Sequence, residues 1–108
     1  MNKFTTPEMT ARLQALGMRP NTIQQLPDGD GYNCMSWHDA NDWLWEKYRK
    51  RIELRLCHKP DGFYPQYYNG VDIPQTLPYY EMFPDQYAAL AKGIEYVVGE
   101  IEKQKQAI

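Results

Sequence analysis

The sequence predicts an α+β two-layer domain, with helices packed on one face of a small antiparallel sheet of two or three strands. The expected order is α-α-β-β-(β)-α. Three observations predict it. Apolar residues recur at spacings of three and four from Phe83 to Ile101, the signature of a long amphipathic helix. Residues 51–58 alternate with period two, and Lys59-Pro60-Asp61-Gly62 follows, so a half-buried strand runs into a turn. A wide apolar arc covers Trp37, Ala40, Leu44 and Tyr48, flanked by Trp43 and Trp45, which marks a helix buried on more than one side.

The first element is a short helix. Thr6 is its N-cap, Pro7 its first residue, and Glu8 suits the positive end of the dipole. Met9, Leu13 and Leu16 form the apolar stripe, and Gly17 is the stop. Residues 18–35 read as irregular, punctuated by Pro20, Pro27, Gly29 and Gly31. Ile23 and Leu26 are expected to anchor this segment, with a short strand around Tyr32–Met35.

The second helix opens on a capping box, Ser36 and Asp39, and is expected to end near Lys50. In the strand that follows, Ile52, Leu54 and Leu56 point one way. Arg51, Glu53, Arg55 and Cys57 point the other. A second strand runs from Phe63 to about Tyr68, with Pro65 marking an edge or a bulge, and Asn69-Gly70 turns the chain again. A third strand is expected at Val71–Ile73 or at Leu77–Met82. Pro84 and Asp85 open the last helix, Lys103 and Lys105 suit its end, and Gly93 and Gly99 are sites of close packing.

A chain of 108 residues is one domain in length, so residues 1–108 are expected to share one core: a helix plus an irregular segment over 1–35, and a helix-hairpin-helix body over 36–104. Apolar content of 43% with net charge −2 excludes a disordered chain. No apolar run reaches the roughly 20 residues of a membrane span, and the first residues lack the apolar region of a secretory signal. Two cysteines, Cys34 and Cys57, then read as reduced thiols in a cytoplasmic protein.

Charge is uneven. Lys47, Arg49, Lys50, Arg51, Arg55 and Lys59 stand against Glu53 alone, a net of +5 inside a chain of net −2. Lys47, Arg49, Lys50, Arg51 and Arg55 are therefore the candidate anion or nucleic-acid site. Aromatics are also dense. Phe63, Tyr64, Tyr67, Tyr68, Tyr79, Tyr80, Phe83 and Tyr87 fall within 63–87. Strand alternation puts Tyr64 and Tyr68 on one face and Phe63 and Tyr67 on the other, so part of the cluster is expected to be exposed. Tyr64, Tyr67, Tyr68, Tyr79 and Tyr80 are the candidate surface for a protein partner or a second copy.

Catalytic and metal chemistry find little to stand on. Asp28-Gly29-Asp30-Gly31 begins like a calcium loop, but Tyr32 and Asn33 occupy the next ligand and glycine positions, so a plain turn is expected. Cys34, His38, Cys57 and His58 do not make a zinc set, because adjacent strand residues point to opposite faces. No nucleophile elbow, phosphate-binding loop or dinucleotide fingerprint is present. The expectation is a binding protein, with an enzyme as the third alternative after nucleic-acid binding, and with no cofactor and no metal.

Two resemblances follow from these residues. A leading helix with a glycine stop (Leu13–Gly17), an Asp-Gly loop (Asp28–Gly31), an aromatic helix (Trp37–Tyr48), a hairpin and a closing helix opened by Phe83–Leu90 together resemble short proteins encoded in Bacteroidetes genomes and their phages. That group has no assigned activity, so the resemblance implies a setting, an accessory protein of a bacterial or phage genome. The order helix, antiparallel strands, helix is similar to the double-stranded-RNA-binding domain, which clamps phosphates with a Lys-rich start to its last helix. Here that start reads Phe83-Pro84-Asp85-Gln86-Tyr87, and the first lysine comes only at Lys92.

Overall fold

A computed structural model describes residues 2–58, 61–70 and 82–106. The elements are α1 (Pro7–Ala15), β1 (Thr22–Gln25), β2 (Gly31–Cys34), α2 (Trp37–Tyr48), β3 (Lys50–His58), β4 (Asp61–Asn69) and α3 (Gln86–Gln106). Among the described residues the architecture is α+β with two antiparallel hairpins, β1–β2 and β3–β4. Among the described residues no helix is long and apolar enough to cross a membrane.

Local chemistry explains the helix ends. Thr6 Oγ1 accepts from the Met9 N–H at 3.1 Å, satisfying an orphan donor of α1. At the other end Gly17 adopts φ +106°. This lets Met18 N–H reach the Leu13 carbonyl at 3.0 Å and Gly17 N–H the Gln14 carbonyl at 2.9 Å, a Schellman motif. Ser36 Oγ accepts from Asp39 N–H at 3.0 Å. Only that half of the expected capping box forms, because the Asp39 carboxylate instead accepts from Asn21 Nδ2 at 3.1 Å. The second helix closes on Arg49, a non-glycine residue in the left-handed region (φ 56°, ψ 39°). Lys50 belongs to β3, not to the helix. Asp85 Oδ1 accepts from Tyr87 N–H at 2.9 Å, so this aspartate caps α3 from just outside its first turn.

The segment read as irregular contains the β1–β2 hairpin. Thr22 pairs with Cys34 and Gln25 with Gly31. Asp28-Gly29-Asp30-Gly31 supplies its turn: Leu26 N–H donates to Asp30 O at 2.7 Å, and Asp28 Oδ1 accepts from Asp30 N–H at 2.9 Å, an Asx turn. Cys34 and Met35 are buried, in line with the expected strand there. Ile23 is no anchor: it is 69% exposed.

The core lies where α3 crosses one face of the β3–β4 hairpin, with α1 and α2 packed alongside. Met9, Leu13, Trp37, Leu44, Ile52, Tyr67, Leu90, Ile94, Val97 and Ile101 are among its buried residues. The long periodic helix therefore buries the stripe that its sequence predicts. Gly93 is the close approach. A Cβ there would stand 2.8–2.9 Å from three carbons of Ile52.

Within β3–β4 the register pairs Arg51 with Tyr68, Ile52 with Tyr67, Glu53 with Gln66, Leu54 with Pro65 and Arg55 with Tyr64. Directly opposed residues share a face. Ile52, Tyr67 and Pro65 are buried against α3, so Arg51, Glu53, Arg55, Tyr64, Gln66 and Tyr68 form the outer face. The expected third strand, at 71–73 or 77–82, lies outside the described residues except for Met82, which is in no strand. Lys59-Pro60 of the expected turn lies outside them as well.

Candidate functional site

The outer face of the β3–β4 hairpin brings together residues that the sequence had assigned to two different sites. Arg51 and Arg55 come from the basic segment; Tyr64 and Tyr68 come from the aromatic cluster. Each arginine faces a tyrosine across the ladder. Arg55 is exposed; Arg51, Tyr64 and Tyr68 are half-buried. Arg55 Nε donates to Gln66 Oε1 at 2.7 Å, and Arg51 Nη2 lies 3.1 Å from Glu53 Oε1. These contacts tie each guanidinium to a neighbouring side chain of the same face.

Trp45 extends this face at its α2 side. The Arg51 guanidinium sits 5.7 Å from the Trp45 ring centroid and that of Arg49 sits 5.5 Å away, within cation–π range. The left-handed backbone of Arg49 turns the chain from α2 into β3 and carries its side chain back to the indole. A pleated surface of guanidinium, phenol and indole results, with exposed Arg49 at its Trp45 end; Lys47 is exposed on α2.

Two of the sequence candidates belong elsewhere. Tyr67 is not part of a partner surface, because strand alternation turns it into the core. It is 4% exposed and packs edge-on against Tyr96, ring centroids 5.6 Å apart. Lys50 is not an accessible cation. It is 6% exposed, and its ammonium donates to Tyr67 Oη at 3.1 Å and Asn69 Oδ1 at 2.7 Å. Burial lowers its pKa, a shift partly opposed by Glu100. Lys50 shares the inward phase of Ile52, and the sheet alternation outweighs its charge. Tyr79 and Tyr80 lie outside the described residues.

Among the described residues no group of His, Cys, Asp and Glu side chains could hold a metal ion; the side chains of Cys57 and His58 lie outside them. Cys34 is a free, fully buried thiol that burial pushes up in pKa, whereas His38 is exposed on α2 and meets Tyr87 edge-on at 5.9 Å. A hollow of about 400 Å³ between α1 and α3 is bordered by Met9, Trp37, Phe83 and Ala91. The Trp37 indole N–H is buried and finds no acceptor among the described residues.

One residue that sequence reasoning missed sets the site's border. Asn41, buried on α2, donates from Nδ2 to Ile52 O at 2.8 Å and accepts from Ile52 N–H at 2.9 Å. Its amide thus occupies the outer edge of β3 as a neighbouring strand would. An asparagine among the apolar positions of a helix is the signal that would have found it.

No protein-family model, no curated protein and no solved structure matches this chain. The functional reading therefore rests on the geometry of the site.

Proposed function

We propose that this protein is a small cytoplasmic binding module that holds a protein partner on the outer face of its β3–β4 hairpin. The observation that carries the reading is the register, which sets Arg51 opposite Tyr68 and Arg55 opposite Tyr64 on the side turned away from α3. Tyrosine, tryptophan and arginine are the residue types that dominate interface energetics. The contacts of Arg55 with Gln66 and of Arg51 with Glu53 restrain the two arginines before a partner arrives, which lowers the ordering cost of association. A partner with acidic groups suits Arg49 and Arg55.

A second reading has a specific observation in its favour. Guanidinium groups paired with phenols on a pleated face are also suited to a single nucleic-acid strand, charge to phosphate and ring to base. Glu53 within that face, and a net charge of −7 outside the basic segment, weigh towards the protein partner.

The test is a pull-down from bacterial lysate with and without nuclease. It compares the wild type with Tyr64→Ala/Tyr68→Ala and with Arg51→Glu/Arg55→Glu. A nuclease-resistant protein band lost in the tyrosine variant supports the proposal. Nucleic acid that is lost in the charge reversal and released steeply by salt transfers the site to the second reading. If both variants retain whatever the wild type binds, the face is not the site. Sedimentation over a range of concentrations tells whether the captured partner is a second copy.

A further inference from the structure

The edge of β3 that faces away from β4 has a defined polarity. Ile52 gives its N–H and C=O to the Asn41 side chain, so both point away from β4. In an antiparallel ladder that outward orientation recurs at every second residue, which assigns it to Leu54 and Leu56 as well. The opposite strand agrees. Leu54 faces Pro65, which has no N–H to give, and Leu56 faces Phe63, whose own N–H and C=O pair outward with Phe83 at 2.7 and 2.8 Å.

Asn41 covers this edge at Ile52 only. Among the described residues nothing meets the outward groups of Leu54 and Leu56, and the Leu56 side chain is 58% exposed. Beside this stretch runs a groove of about 510 Å³, bordered by His38 and Asp42 of α2, Leu54 and Arg55 of β3, and Gln86 and Leu90 of α3.

We infer that this edge accepts an extended peptide of alternating apolar and acidic residues, added to the hairpin as a strand beside Leu54 and Leu56. Main-chain hydrogen bonds supply affinity and alternate side chains supply specificity in this mode. One set of peptide side chains lies over Leu54, Leu56 and Leu90. The set between them lies beside Arg55 on the outer face and is acidic for that reason, since Glu53 already bridges Arg51. A second copy is disfavoured in one register. The two-fold register that pairs Leu54 with Leu56 of the other chain sets Arg55 directly against Arg55, and like charges so placed repel. The inference rests on the reading that the partner is a protein and adds how its backbone is held.

The probe is a fluorescein-labelled decapeptide of alternating Val and Glu, with a Val/Lys decapeptide as control, titrated with the full chain. Expected is saturable binding of the Val/Glu peptide, at least tenfold weaker for Val/Lys, and at least tenfold weaker for Leu56→Pro. That proline removes an outward N–H without touching the β3–β4 ladder, as Pro65 already does on the other strand. Should Leu56→Pro fail to fold, hydrogen exchange of the wild type decides. The Leu54 and Leu56 amides are expected to exchange fast while Ile52 is protected, and to become protected when the Val/Glu peptide is added. No saturable binding, equal binding of both peptides, full binding by a folded Leu56→Pro, or exchange unchanged by peptide overturns the inference. So does a concentration-dependent dimer that protects those two amides. Tyr64→Ala/Tyr68→Ala is expected to keep the Val/Glu peptide, so failure of the outer face and failure of the edge give different results.

Discussion

Asn41 makes both of its side-chain amide hydrogen bonds to the backbone of one residue, Ile52, at 2.8 and 2.9 Å. This fastens α2 to the edge of β3 by strand-like pairing rather than by apolar contact alone. Both partners are buried. Removing the amide strands a buried N–H and a buried C=O together, so Asn41→Ala is expected to lose about 2–4 kcal/mol of stability. Urea unfolding measures the loss. Exchange of the Ile52 amide, expected to be slow in the wild type because Asn41 Oδ1 accepts from it, reports whether the local pairing is what was lost.

Gly93 and Gly99 lie on the same helix and are expected to respond oppositely to alanine. At Gly93 a Cβ meets Ile52 at 2.8–2.9 Å, and overpacking of this kind costs about 1–3 kcal/mol, more than helix propensity returns. At Gly99 the nearest atom is Arg12 Nη2 at 3.9 Å, so alanine is expected to gain up to about 1 kcal/mol. Thermal unfolding of both variants tests the contrast. In the Gly93→Ala/Ile52→Ala double variant the two losses are expected to fall short of additive, because truncating Ile52 makes room for the methyl group added at position 93.

Lys50 and Tyr67 form a buried polar pair whose members depend on each other. Lys50→Met leaves the Tyr67 hydroxyl without its donor and is expected to cost about 1–2 kcal/mol, most of which Lys50→Met/Tyr67→Phe recovers. The pair also carries a pH signature. Burial holds the folded pKa of Lys50 below its usual 10.5, so the unfolded chain binds the extra proton in that window. Stability contributed by Lys50 therefore rises as pH climbs towards 10.5. Tyr67 acts oppositely: burial raises its phenol above 10.0, and its contribution falls as pH climbs beyond that value. Unfolding free energies between pH 7 and 10 should rise for the wild type relative to Lys50→Met. A parallel course for the two proteins would refute the burial argument.

Arg12 joins α1 to α3 through a two-point contact with Glu102, Nε to Oε2 at 3.1 Å and Nη2 to Oε1. The guanidinium holds the Glu102 carboxyl below its ordinary 4.5. The pair's contribution is present above that value and is lost as pH falls through the lower, folded pKa. Both side chains are partly exposed, so the pair is worth only about 0.2–1 kcal/mol. Glu102→Gln should cost less than about 1 kcal/mol at pH 7 and nothing near pH 2, which denaturant titrations at the two pH values can show.

By itself the sequence determined the helices and the main hairpin. Thr6, Gly17, Ser36 and the three-and-four spacing of Leu90, Ile94, Val97 and Ile101 are local signals, and local hydrogen bonding and one-sided burial obey them. Period two over 51–56 likewise sorted Arg51, Glu53 and Arg55 from Ile52 and Leu54. Tertiary structure decided what periodicity cannot express. The short, polar Thr22–Gln25 carries no apolar alternation, so β1 exists only because β2 pairs with it. Arg49 takes the left-handed turn usually left to glycine, because the chain must reverse there to lay β3 under α3. Lys50 and Tyr67 were surface candidates by residue type, yet they lie on the buried side of the hairpin. Tyr64 and Arg55 were candidates for different sites, and cross-strand register made them one. Alternation gives each strand two faces. Which faces coincide, and which of them meets α3, is set by pairing between segments distant in the chain, and that pairing leaves no local trace in the residues that obey it.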